Sequence, residues 1–269
     1  MKTKLLSILA VGALAAHGPS WGAPINVAIL SGSSGSSASS LTAAQFNDDT
    51  YYDFSATVIS GSSVSSVGDL SGYKAVVLGG SGYSQNEYSG ATLDAVLGFL
   101  QNGGGVVTAG WYRFGVINTS GQAATSADAV TPVVTGGAYD FANGTTVLIN
   151  SVTHDITAGV GNIFVSDCCI ETATALDGGA TALATIDNGQ VVVAYQETLG
   201  RSVYLGLLYE ANEGYGTDAL RSGDADRLLE QSLAWAAGAD SNDVPEPATL
   251  AVLGLGLAGL GLSRRRKSA

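Results

Sequence analysis

With 269 residues the chain is long enough to bury one domain's core without disulfide or metal staples, and it leaves room for terminal segments. Apolar residues make up 46% and charged residues only 13%, so Ser, Thr, Asn and Gly must supply much of the polar surface; the 37 glycines follow no collagen-like period. Six of the 11 basic residues (Lys2, Lys4, Arg264, Arg265, Arg266, Lys267) sit at the ends, and residues 48–243 hold the other five against 22 acids, a formal charge of −17. Such a body repels nucleic-acid phosphates and anionic lipid headgroups, which excludes nucleic-acid binding.

The opening MKTKLLSILAVGALAAHGPSWGAP places Lys2 and Lys4 before a twelve-residue apolar run, residues 5–16. Small residues follow, with Ala16 and Ala23 as candidate cleavage points. A positive start, a short apolar core and a small-residue cut describe a secretory signal peptide, assigned to residues 1–23. INVAIL (residues 25–30) is a β-rich run ending in SGSSGSSASS. Residues 41–46 read as a brief helix, residues 56–59 as a second strand, and YKAVVL (residues 73–78) as a third strand ending in GGSG. Residues 88–101 carry Leu93, Val96, Leu97 and Leu100 at helical spacing until Asn102-Gly103-Gly104-Gly105 stops them, and residues 106–108 restart a strand. Strand, helix, strand at this spacing predicts a parallel sheet with crossover helices.

In the second half, residues 147–150, 163–165, 182–186, 191–195 and 202–207 are short strand candidates. Asp187-Asn188-Gly189 is a hairpin signal, and Glu197-Thr198-Leu199-Gly200-Arg201 a hairpin loop. Residues 224–237 form the final helix: Ser222 or Gly223 caps it, Asp224 and Asp226 fill its first turn, and Leu228, Leu229, Leu233 and Trp235 supply apolar faces. The expected fold is α/β, a mostly parallel central sheet flanked by helices in the flavodoxin-like manner, with a strand-rich second half.

Three stretches, GFLQNGGGVVTAG (residues 98–110), THDITAGV (residues 153–160) and GRSVYLGLLYE (residues 200–210), precede a terminal helix ending LAWAAG. On these residues the body, residues 24–238, resembles the class I glutamine amidotransferase-like fold, in particular its ThuA-like branch. The resemblance implies, for catalytic members, a Cys nucleophile on a sharp turn after the central strand, with a His and an acid near the last strand. The turn here, Thr108-Ala109-Gly110-Trp111-Tyr112, has neither Cys nor Ser in nucleophile position. Leu207-Leu208-Tyr209-Glu210 lacks the His, and Glu210 stands where the acid would. Acyl transfer then has no nucleophile and no base, and the domain reads as non-catalytic.

His154 is the lone His of the body. It cannot make a His-rich metal site; it and Thr157 are expected to hold a turn by local hydrogen bonds, with a general-base role as the competing reading. Cys168 and Cys169 are adjacent. Neighbouring Cα atoms lie about 3.8 Å apart and an ordinary disulfide wants about 5.5 Å, so the readings are two buried thiols, one thiol paired between chains, or a strained vicinal bridge. SGSSG (residues 31–35) and GGSG (residues 79–82) match neither the dinucleotide nor the P-loop signature.

Loops at the C-terminal ends of parallel strands are nonetheless where such sheets bind ligands. Trp111, Tyr112, Arg113 and Tyr83 are the ligand-binding candidates there, with Glu87 and Glu210; aromatics beside acids suit a carbohydrate. A hydrolase acting on extracellular glycans through Glu87 and Glu210 is the alternative reading. Asp48, Asp49, Asp167, Glu213, Asp218, Asp224 and Asp226 follow no calcium-loop spacing and read as solvated surface, and no metal or cofactor is expected.

The tail runs VPEP, then fifteen apolar residues (248–262) containing Gly254, Gly256, Gly259 and Gly261, then Arg264-Arg265-Arg266-Lys267. Fifteen is short of the about 20 that a comfortable span wants, and in water each Gly would weaken a helix by up to about 1 kcal/mol. This order resembles the PEP-CTERM sorting tail of Gram-negative bacteria. The resemblance implies that an exosortase recognises Pro245, Glu246 and Pro247, with Arg264, Arg265 and Arg266 as the basic end, and processes the protein at the envelope. It also implies an association with exopolysaccharide and biofilm. The expected division is a signal peptide (1–23), the body (24–238), a linker with the Pro-Glu-Pro (239–247), a short sorting helix (248–262) and a basic cytoplasmic tail (263–269). Export machinery, exosortase and exopolysaccharide are the expected partners, with membrane contact at least transiently through the C-terminal helix. The expected location is the inner membrane before processing, and afterwards the cell envelope, outer surface or extracellular matrix.

Overall fold

The computed structural model describes residues 23–33, 37–48, 50–136, 140–211 and 217–239, and for residues 37, 167, 168 and 217 the backbone alone. The signal peptide up to residue 22, the Pro-Glu-Pro, the apolar run and the basic cluster lie outside the described residues, as do Asp49 and Glu213. Ala23–Val244 is a compact unit of its own.

Four short strands build the heart of the sheet: β1 (Ile25–Ser31), β3 (Ala75–Leu78), β4 (Gly105–Thr108) and β9 (Ser202–Leu205), with β2 (Phe54–Ser60) outside β1. Every residue of β3, β4 and β9 is buried, as strands covered on both faces must be. Their alternation feeds two cores. Val27, Ile29, Ala75, Val77 and Val203 face Leu228, Leu229 and Leu233 of helix α5 (Gly223–Ala236). Ala28, Leu30, Val76, Leu78 and Val106 face Leu93, Val96, Phe99 and Leu100 of α2 (Gly90–Gln101). Helix α1 (Ser37–Phe46) brings Phe46 to the first core. Ser89 starts α2 by accepting a hydrogen bond from Thr92 N–H at 3.1 Å, and Gly103 at φ 88 ends it.

Strand β5 (Asp140–Ile149), β6 (Ile163–Thr172), β7 (Thr181–Thr185) and β8 (Val191–Gln196) complete the order β2-β1-β3-β4-β9-β8-β7-β5-β6. The expected mostly parallel sheet is corrected here. Four adjacencies are parallel (β1 with β2, β1 with β3, β3 with β4, β4 with β9) and four antiparallel. The physical reason is connection length: helices link the first strands, whereas Asp187-Asn188-Gly189 and residues 197–201 are too short for any crossover. Two further helices, α3 (Tyr112–Val116) and α4 (Gly121–Ala129), lie between β4 and β5 and were not expected from the sequence.

Strands β5 and β6, ten residues each, are more than twice as long as expected and form a ribbon that outruns its neighbours. Only Leu148 and Ile149 pair with β7, while Asp140 to Val147 pair with β6 alone. The far end of the ribbon lies against the chain leaving β9, where Glu171 N–H donates to Gly206 C=O at 2.8 Å. A Cβ at Gly206 would overlap the Glu171 carbonyl oxygen, so only glycine permits this approach.

Candidate functional site

The loops that leave the C-terminal ends of β1, β3, β4 and β9 pack together: Gly79 lies against Glu210, Gly80 against Trp111 and Gly32 against Glu87. The loops touch backbone to backbone: Ala109 N–H donates to Leu78 C=O at 2.7 Å and Gly110 N–H to Leu207 C=O at 2.9 Å. At the centre the chain turns sharply from β4 into α3. Trp111, the residue at the turn, has φ 67 and ψ 2. A bulky side chain in the left-handed region costs on the order of 1–3 kcal/mol and persists only where its surroundings over-determine it.

Two buried carboxylates lie beside this turn, Glu171 on the N–H groups that follow it and Glu87 on the loop after β3. Glu171 of β6, fully buried, accepts from Arg113 N–H at 3.2 Å, Phe114 N–H at 3.1 Å and Tyr204 O–H at 3.3 Å. Burial pushes its carboxyl up to about 7, against the opposing pull of the Arg113 guanidinium and these donors. Glu87 accepts from Ser81 N–H at 3.2 Å, from the Ser81 hydroxyl and from Ser33 Oγ at 3.5 Å. Within the turn, Tyr112 N–H donates to Ala109 C=O at 3.1 Å. Glu210 is also buried, with Ser39 Oγ donating to its Oε2 at 2.6 Å; burial raises its carboxyl despite the Ser39 and Thr42 hydroxyls and Arg221.

The structure brings some of the sequence-derived candidates together and separates others. Glu87, Glu210, Trp111 and Tyr83 belong to the loops at this end of the sheet; the first three are buried and Tyr83 is exposed. Tyr112 is fully buried in the second core and its hydroxyl donates to Ala127 C=O at 2.8 Å, so it lines nothing. Arg113 is also buried and directs its guanidinium to the carbonyls of Val134 and Thr172. His154 lies at the opposite end of the sheet, stacked on Tyr195 with ring centroids 4.0 Å apart, edge-on to Trp235. Its Nδ1 accepts from Ile156 N–H at 3.2 Å, and its C=O accepts from Thr157 N–H at 3.0 Å; desolvation holds its pKa below the usual imidazole value. It caps the turn at Asp155–Thr157 there, away from Glu87 and Glu210.

Sequence reasoning missed Glu171, Ser39, Phe114 and Phe141. Phe141, on β5 opposite Glu171, places its ring 6.4 Å from Trp111, which is 5.6 Å from Phe114. Cys169 is buried and disulfide-bonded, which corrects the reading of two free thiols; the chain's other cysteine is Cys168. Among the described residues no group of three or more His, Cys, Asp or Glu could hold a metal ion, and no helix is long and apolar enough to cross a membrane.

The fold defined by this sheet is that of ThuA-like proteins. A ThuA-like protein of Bacteroides uniformis superposes with a TM-score of 0.60 at 15% identity, covering 82% of this chain and 95% of that one. One from Parabacteroides merdae does so with 0.53 at 17%, covering 83% and 92%. A GMP-synthase-subunit-A-like protein of Thermoplasma acidophilum gives 0.51 at 12%, covering 80% and 95%. No curated protein matches the sequence. Residues 243–267 match the family model of the PEP-CTERM protein-sorting motif. The chain therefore joins a ThuA-like body to a PEP-CTERM motif, which marks an exported, envelope-targeted protein that exosortase processes.

Proposed function

We propose that the body is a catalytically silent ThuA-like domain, delivered to the cell surface to bind a component of the exopolysaccharide matrix. The observation that supports this most is the turn after β4. Trp111, at the sharp turn where catalytic members of the resembling fold carry the nucleophile, can supply none, and the protein's own Glu171 carboxylate takes up the N–H groups of Arg113 and Phe114 just beyond it. The alternative, a hydrolase working through Glu87 and Glu210, needs carboxyls that reach substrate, and both are 2% exposed.

The test is to purify the unit Ala23–Val244 and screen polysaccharides for binding and for release of reducing ends. Binding without turnover is expected. Turnover abolished by Glu210→Gln would sink the silent-domain reading.

On this proposal residues 1–23 are removed on export, and exosortase cuts near Pro245-Glu246-Pro247, so the mature protein keeps no membrane segment. Intact-mass measurement of the surface form is expected to show loss of both ends. A mass retaining Arg264 to Ala269 overturns the processing claim.

A further inference from the structure

His154 makes a hydrogen bond that only one of its protonation states allows. Its backbone is extended at φ −151 and ψ 146, and its Nδ1 accepts from Ile156 N–H at 3.2 Å, as a side-chain cap does at the start of a helical turn. A ring nitrogen that accepts carries no proton, so the neutral ring holds its proton on Nε2. A second proton must go to Nδ1, where it would meet the amide hydrogen head-on, and the cap is lost. The aromatic neighbours make no such demand. Tyr195 and Trp235, with ring centroids 4.0 and 5.2 Å away, offer faces and edges that tolerate an imidazolium.

The cap begins a short segment that ends at Val160. Thr157 N–H donates to His154 C=O at 3.0 Å, and Val160 N–H donates to Thr157 C=O at 3.2 Å. Helix α5 grips the same segment through exposed bonds: Gln231 Nε2 donates to Ala158 C=O at 3.1 Å and Arg227 Nη1 to Gly159 C=O at 2.7 Å. Ile156 and Val160 turn inward and are buried in the first core. Gln231 and Arg227 keep their charge across the neutral range, whereas an imidazole does not.

Charged groups of both signs surround the ring. Asp155 is in its own turn, and Glu197 and Arg201 lie on the loop between β8 and β9, paired at 3.5 Å. On α5, Asp224 and Arg227 lie against Gly161 and Gly159. Burial disfavours the charged ring, Asp155 and Glu197 favour it, and Arg201 again opposes it; the balance holds the pKa below the ordinary imidazole value.

We propose that His154 is an acid-released latch: neutral, it pins the segment from Asp155 to Val160 against α5; protonated at Nδ1, it lets that segment open. The latch's contribution is fully present above the unfolded value, 6.5, and is lost as pH falls through the lower value of the fold. Buried carboxyls such as Glu171 and Glu230 act on overall stability with the opposite sign, so the latch is read locally rather than from melting.

The Ala23–Val244 unit holds one histidine, so every imidazole signal in its NMR spectrum belongs to His154. At about pH 8 the ring is expected as the Nε2–H tautomer, and it should titrate below the ordinary value of about 6.5. Between about pH 8 and about pH 4.5 the exchange protection of the Ile156 amide should fall about tenfold, in step with the ring, while amides of α2 keep theirs. His154→Asn supplies a capping oxygen that does not titrate, and should keep Ile156 protected at both ends of the range. His154→Ala should leave it unprotected at both. An Nδ1–H tautomer at about pH 8, equal Ile156 protection on the two sides of the ring's titration, or an Asn variant that loses protection on acidification as the parent does would each overturn the proposal. The first two are read on the parent protein, so the test stands even if a variant fails to fold.

Discussion

Trp111 is the residue on which the site turns, and two opposing magnitudes decide what replacing it does. Truncating a buried tryptophan costs about 3–5 kcal/mol through lost transfer energy and the cavity left behind. Against that, a non-glycine residue at φ 67 carries a left-handed penalty of about 1 kcal/mol that glycine does not. Trp111→Ala and Trp111→Gly should therefore both destabilise the body, and the Gly variant should be the more stable of the two by about 1 kcal/mol. That order is the reverse of what Ala and Gly give at ordinary positions. Urea unfolding of the pair reads it directly; an Ala variant equal to or more stable than Gly would show that the strain is not held there. The absence of a nucleophile was plain from Thr108-Ala109-Gly110-Trp111-Tyr112 as written. The strain was not, because a tryptophan in a string gives no sign of positive φ.

At the scale of elements, what the sequence made legible was whatever its periodicity encoded. Helix α2 was expected over residues 88–101 and runs Gly90–Gln101; α5 was expected over 224–237 and runs Gly223–Ala236. Strand β3 came out within its expected run because all four of its residues are apolar. The β5–β6 ribbon was legible only at its sheet-paired and apolar end. Its outer half reads DFANG and DCCIET, where solvent on one side and two register shifts break the alternation that a strand needs to be recognised. That half is the part that carries Phe141 and Glu171 to the turn after β4, so the site's missing residues and the missed strand length have one cause. Partner choice was equally hidden. Asn47, at the end of α1, uses its side-chain amide to bond both backbone groups of Ala56, at 2.7 and 3.1 Å, covering the outer edge of β2. Nothing in Asn47-Asp48 as letters distinguishes that role from a turn.

For the whole molecule the excess of acid has a thermodynamic consequence, because several carboxyls are buried where ionisation is penalised. Burial, then the neighbouring Asp226, pushes Glu230 up to about 8, even though its Oε2 accepts from the N–H groups of Tyr51 and Tyr52. Glu171 is pushed to about 7, and Asp177 to about 6 by burial and then Asp128; Glu210 and Asp226 move in the same direction. In each case the folded state holds a proton that the unfolded chain has already released. For Glu230 the contribution is fully present below its unfolded value, 4.5, and is lost as pH rises towards about 8. Glu171 adds to the slope over the lower part of that window. Stability should therefore fall steadily from about pH 5 to about pH 8.5, the reverse of a protein held together by depressed carboxylates. Melting temperatures across that range check the slope. Glu230→Gln, which keeps an acceptor for Tyr51 and Tyr52 but cannot ionise, should raise the melting temperature at the alkaline end more than at the acid end. A melting temperature that is flat or rises with pH, or a Gln variant that shifts both ends alike, would mean that Glu230 ionises in the fold as it does in water, and that the acidity of this body is borne entirely by its surface.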